Sequence, residues 1–170
     1  MSPRESLSPP TATHVTIRLD KAAIEQALPL VSVGLEKYCR IQADLLTTDV
    51  ARDRAFQTRF NGFYRVRRNT EWQSAFYALL QRQKSEPQSF EGVLSTLHVA
   101  TGRVEASFAS KLVASIDPDQ PVIDAFVLKN LGLRLSPAGS AQLRRARVVA
   151  VHDRIGRIFQ HVFVDEVQDL

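Results

Sequence analysis

Between residues 21 and 163 the chain offers one helix signal after another and no alternation of apolar and polar residues that would sustain a strand. A chain without strands has to bury its apolar surface helix against helix, so the fold class is all-α, a compact helical bundle. The one early exception, HVTIRLD at residues 14–20, has no evident strand partner and reads as an extended entry to a helix capped by Asp20. Strand character returns only in the last ten residues. With 170 residues the chain suits a single domain, placed at 15–170 behind a Ser/Pro/Thr-rich tail, residues 1–14, that has almost nothing to bury and is expected to be disordered.

The punctuation of the chain sets the helix boundaries. KAAIEQAL (21–28) is a strong helix former, Pro29 should interrupt it, and a second helix follows over about 31–46 with Val33, Leu35, Ile41 and Leu45 among its apolar members. Thr47, Thr48 and Asp49 then cap a helix over about 50–66, and Asn69 or Thr70 caps 69–84, with Trp72, Phe76, Leu79 and Leu80 inward. Ser89 caps the next, which Gly102 closes. A small-residue helix over 103–115, a short helix over 121–131 with Pro121 in its first position, and a long one over 141–163 complete the reading.

Composition narrows the functional classes. Cys39 is the single cysteine, which excludes a disulfide framework and a thiolate metal cluster and makes Cys39 itself a candidate small core residue. The four histidines share no metal-ligand spacing, so neither a metal nor a cofactor is expected. No stretch approaches the roughly 20 apolar residues of a membrane span, and residues 1–14 lack the apolar core of a signal peptide, so the expected setting is cytoplasmic, away from membranes. Net charge is +4, and 17 of the 22 cations are arginine, the side chain best shaped for paired hydrogen bonds to phosphate or carboxylate.

The arginines are not evenly spread. Residues 52–68 hold Arg52, Arg54, Arg59, Arg65, Arg67 and Arg68 against Asp53 alone, interleaved with Phe56, Phe60, Phe63 and Tyr64 on one helical face. Two readings stay open: the rings stack on exposed bases while the guanidiniums neutralise phosphates, or the rings are core and the arginines a solvated outer face. The RVRR run at 65–68 exceeds what a helix C-terminus alone rewards, about 0.3–1 kcal/mol per cation, and calls for a counter-charge. A second basic group comprises Arg144, Arg145, Arg147, Arg154 and Arg157.

PVIDAFV (121–127) with NLGL (130–133), preceded by ATGR (100–103), resembles the helix-hairpin-helix DNA glycosylase superfamily over about residues 100–133. The resemblance implies that Gly102 and the neighbouring amides, with Arg103, grip a DNA phosphate. It also implies that Asp124 is the catalytic carboxylate, stabilising positive charge on the deoxyribose as a flipped base departs or positioning the attacking water. Arg65, Arg67, Arg68 and Lys111 would add DNA-binding charge. One glycine stands where the family carries a pair, Glu105 replaces the lysine of bifunctional members, and Lys111 lies a helical turn or more too far along to substitute for it. The implied activity is therefore that of a monofunctional or degenerate glycosylase. HVFVDEVQDL (161–170) resembles the magnesium motif of superfamily-one helicases, with Asp165 as magnesium ligand and Glu166 orienting water, but no G-x-x-x-x-G-K-[ST] loop is present to hold phosphates. Two other readings remain open: a non-enzymatic helical protein whose arginines meet an acidic protein partner, and a shortened gene product.

Overall fold

A computed structural model describes residues 21–167, and among them there are seven α-helices and no strand. The tail, the 14–20 segment and residues 168–170 lie outside the described residues, as do the side chains of Asp165 and Glu166. The helices are α1 (Lys21–Thr47), α2 (Arg54–Tyr64), α3 (Thr70–Gln83), α4 (Phe90–Thr101), α5 (Ala106–Ile116), α6 (Ala125–Asn130) and α7 (Ala141–Val167). The all-α reading therefore stands. Helix α4 is central: it packs against α3, α5 and α7, while α1 packs against α2.

Local chemistry accounts for most boundaries. Asp53, Asn69, Ser89 and Asp124 each accept a hydrogen bond from the backbone N–H three residues on, satisfying a donor that the helix start leaves open. Gly102 ends α4 in the left-handed region at φ 68°, where a glycine avoids the Cβ clash.

Five boundaries differ from the sequence reading. Pro29 sits inside an unbroken α1 rather than between two helices; its missing N–H forfeits one intrahelical bond, which the turns on either side outvote. Helix α2 starts at Arg54 because Asp53, not Thr47 to Asp49, is its cap, and residues 50–53 form a turn. Helix α5 begins at Ala106 rather than 103, and α6 at Ala125, leaving Pro121 in an extended lead-in. Helix α7 continues to Val167, through the segment whose alternation suggested a strand. Cys39 is exposed, not core, because α1 turns that face away from α2.

The core is aromatic. Phe60 is tilted against Phe56, Tyr64 and Phe76 and meets Tyr77 edge-on, and Trp72 lies parallel to Phe76 with ring centroids 5.1 Å apart. Phe108 meets Trp72 edge-on at 4.8 Å and so carries the cluster from α3 into α5. Phe56 and Phe60 are fully buried, which answers the question left open for this stripe: its inner rings pack against one another and have no face left for a base.

Several polar groups inside this core form one chain of hydrogen bonds. Gln57 donates to the carbonyls of Val50 and Ala51, both at 3.0 Å, and the Tyr77 hydroxyl donates to Asn61 Oδ1 at 2.7 Å. Asn61 passes the chain to Gln73, whose amide donates to the Arg68 carbonyl at 2.6 Å. A buried network thus reaches from the middle of α2 to the turn that carries RVRR.

Among the described residues the outer half of α1 buries little: Leu28, Leu30, Val31 and Val33 are exposed, whereas Ile41 and Leu45 enter the core. Phe60→Ala should therefore cost about 3–5 kcal/mol and Leu30→Ala less than about 0.5 kcal/mol, measured by urea denaturation. His152 is buried and stacked on Phe90 at 3.8 Å. Burial lowers its pKa from 6.5, against the opposing pull of Asp153 and the Pro121 backbone. The unfolded ring takes up its proton first, so stability should be full above pH 6.5 and decline as pH falls from there toward the folded pKa. Denaturation midpoints across pH 7.5–5 should show that decline in the native chain and a weaker one in His152→Asn.

Candidate nucleic-acid interface

Two turns meet at one end of α4. The first, residues 65–68, joins α2 to α3. Val66 is buried and anchors it, its N–H donating to the Asn61 carbonyl at 2.9 Å. With Val66 pinned, Arg65 and Arg67 on either side of it are exposed, and Arg68 turns inward. Arg65 occupies the left-handed region at φ 54°, the one non-glycine among the described residues to do so. Glycine would adopt that conformation at a saving of about 1 kcal/mol or more before its own entropy cost, so the guanidinium is carried at some expense.

The second turn, residues 102–105, joins α4 to α5. Its organising residue is Glu105, whose side chain is only 7% exposed and which receives Arg68 at 3.0 Å and Arg103 at 3.3 Å. Arg68 is thus clamped between Glu105 and two aromatic faces, its guanidinium carbon 5.8 Å from the Trp72 centroid and 5.3 Å from that of Phe108. Arg103 remains mostly exposed, so one side of its guanidinium pairs while the other meets water.

Lys111 also stands against Phe108, its ammonium 5.5 Å from the Phe108 centroid and 5.7 Å from that of Tyr64. Burial lowers its pKa, and the nearby Asp124 carboxylate pulls it back up. Burial likewise raises the Tyr64 phenol, against a hydrogen bond with Ser115. Asp124 is placed from two directions: Ser110 Oγ accepts the Ile123 N–H at 2.8 Å, holding that extended strand of chain on α5, and Asp124 Oδ1 accepts the Val127 N–H at 2.8 Å as the cap of α6.

Comparison with family models, curated proteins and solved structures gives no match. What the arrangement can do has to be read from its own chemistry.

The structure brings Arg68, Arg103, Lys111 and Asp124 into one neighbourhood through Glu105 and Phe108, with Arg65 and Arg67 on the adjoining turn. Asp124 comes near enough to raise the Lys111 pKa because the Ser110 contact folds residues 121–124 back along α5. Gly102 is exposed and open to solvent, and a Cβ there would touch nothing; its φ alone calls for glycine. Its N–H donates to the His98 carbonyl at 2.8 Å and that of Arg103 to Thr101 Oγ1 at 3.3 Å, so both amides have partners within the chain.

The second basic group stands apart in its partners. Arg145 donates to Ser95 on α4 at 3.1 Å and Arg147 to the Ala138 carbonyl at 2.7 Å, where they fasten α7 and its lead-in loop. Among the described residues no three His, Cys, Asp or Glu side chains are grouped as metal ligands would be.

The residue that sequence reasoning undervalued is Glu105. It was visible only as the residue in a lysine's place, and no local pattern announces that an acid will be buried under two arginines from different turns. Glu105→Gln keeps the shape and removes the charge. It should cost about 1–3 kcal/mol, with a thermal midpoint shift as the measurement and a circular dichroism spectrum unchanged in shape.

Proposed function

We propose that the edge formed by residues 65–68 and 102–105 binds the phosphate backbone of DNA. The observation that carries this reading is the pair Arg65 and Arg67. Their guanidiniums stand exposed on an internally braced turn and make no hydrogen bond or ion pair with any described residue. Arg68 and Arg103 sit beside them, prepositioned by a carboxylate, so little side-chain entropy remains to be lost on binding. Phosphates spaced along a strand meet such a row of cations by releasing counterions, which makes the affinity strongly salt-dependent.

Within this reading Asp124 is the catalytic carboxylate of a monofunctional glycosylase acting on a flipped base. Support comes from its place beside Lys111, which shares the Phe108 ring with Arg68. A non-enzymatic binding role has its own support: Asp124 Oδ1 is already the cap of α6, a sufficient structural reason for an acid at this position.

Duplex affinity should fall with salt at a log–log slope of about −0.9 per phosphate neutralised. Arg65→Gly suits the left-handed backbone and Arg67→Gln is exposed, so the double variant should fold normally and flatten the slope by about 2. No binding at low salt, or an unchanged slope in the double variant, overturns the proposal; stronger competition by an acidic protein than by duplex points to a protein partner instead. Asparagine caps helices as well as aspartate does, so Asp124→Asn separates the two roles. Loss of abasic-site formation with retained DNA binding supports catalysis, whereas no base release by the native chain leaves a binding module.

A further inference from the structure

Helix α1 outruns the helix it packs on. It lies antiparallel to α2: Asp44 pairs with Arg59, and the Tyr38 and Phe63 rings meet with centroids 6.2 Å apart. Helix α2 ends at the next residue, Tyr64, so the part of α1 before about residue 36 runs past its neighbour's last turn. At 1.5 Å per residue, residues 21–35 form a rod about 22 Å long. Ile24, Leu28, Leu30, Val31, Val33 and Leu35 are all exposed along it. Between Ala22 and Leu35 the only ionisable side chain is Glu25.

The packed half of α1 seeds this rod, but most helical stability in proteins comes from burying an apolar face, and Pro29 forfeits one of the rod's own hydrogen bonds. Here the apolar face is present and uncovered. A contiguous exposed apolar surface of this kind marks a site of association.

The pattern of that face says what fits it. Ile24, Leu28, Val31 and Leu35 are spaced four, three and four residues apart, which is a heptad seam, and they are 41%, 50%, 51% and 53% exposed. Leu30 and Val33 lie off the seam. The spacing reads the same in both directions, so a second copy of the helix running the opposite way meets it in register. Ile24 of one copy then lies level with Leu35 of the other, and Leu28 with Val31. Such self-matching is what a two-fold interface between identical surfaces requires. Ala27 and Gly34 flank the seam a heptad apart, and a Cβ at Gly34 would touch nothing, so a second helix can approach closely there.

Charge favours the antiparallel course. It brings exposed Lys21 of one copy within a turn of exposed Glu36 of the other, at both ends of the pair. A parallel pair would instead set Lys21 level with Lys21 and Glu25 with Glu25. Four seam residues and their flanks are fewer than the roughly 20–30 residues a side of a standard interface, so the association is reversible.

We propose that residues 21–35 of α1 are the dimer interface of this chain, an antiparallel two-helix seam in which a second copy covers Ile24, Leu28, Val31 and Leu35.

Sedimentation velocity of the full chain from about 5 to 500 µM should show the average mass climbing from one chain to a plateau at two. Leu28→Lys with Val31→Lys should raise the dissociation constant at least about tenfold, since like charges then face each other across the seam. Leu30→Lys with Val33→Lys makes the same chemical change off the seam and should leave the constant within about twofold. All four positions are exposed, so the variants should fold, with circular dichroism as the check. A monomer at every concentration overturns the proposal, as does a mass that rises past two chains without a plateau, or an equal loss in both pairs of variants. The helix direction has its own readout in the exposed Cys39. In the antiparallel pair the two Cys39 thiols lie about 28 Å apart along the seam. A two-carbon bismaleimide should therefore leave the native chain unlinked but couple copies carrying Val31→Cys with Cys39→Ala. Efficient coupling through Cys39 overturns the antiparallel arrangement.

Discussion

A carboxylate at the entrance to α5 does what no backbone contact does here: it fastens the turn after α2 to the turn after α4. Glu105 is buried, and a buried charge is tolerable only when paired, so its position obliges Arg68 and Arg103 to converge on it. The attraction is strong because the site is poorly hydrated, and the arginines retain enough exposure to avoid the full desolvation cost. Arg68 is then held over Trp72 and Phe108, and Phe108 in turn faces Lys111. The neighbourhood of Arg68, Arg103 and Lys111 follows from that one acid and the ring beside it.

The aromatic core gives this clamp something rigid to act on. Phe56, Phe60, Phe76 and Tyr77 interlock across α2 and α3, and the hydrogen-bonded sequence Tyr77, Asn61, Gln73 and the Arg68 carbonyl transmits that order to the RVRR turn. An exposed arginine on a loose loop would sample many orientations. On this turn Val66 is buried, so the directions of Arg65 and Arg67 follow from packing rather than from any contact of their own. The two ends of α4 then differ in sign: guanidiniums gather at its C-terminal turn, carboxylates around a cavity at its N-terminal end. A helix dipole favours that distribution at both ends.

Much of this was legible residue by residue. Ser89, Asn69 and Gly102 mark helix ends by chemistry that acts over three or four residues, and the Phe/Tyr spacing on α2 announced its buried face. Pro29 misled because the cost of a proline in a helix is finite, about 3 kcal/mol, and a 27-residue helix has enough turns to carry it. Cys39 misled because a small apolar residue in a helix has no sign of which way it faces unless its neighbours declare one, and the apolar residues of α1 are spread around the helix.

The amino-acid order alone determined that the chain is helical, where most of its helices start, and that its positive charge is concentrated in arginine runs, since these depend on interactions between residues a turn or less apart. Which charges are spent and which remain available was decided in three dimensions. Glu105 meets Arg68 across 37 positions, and Arg145 meets Ser95 across 50. Ser110 draws Asp124 toward Lys111. Gln83 and His152 line one cavity although one closes α3 and the other lies midway along α7. Such pairings follow from how helices stack, which depends on the fit of whole faces and leaves no trace in any short stretch of sequence.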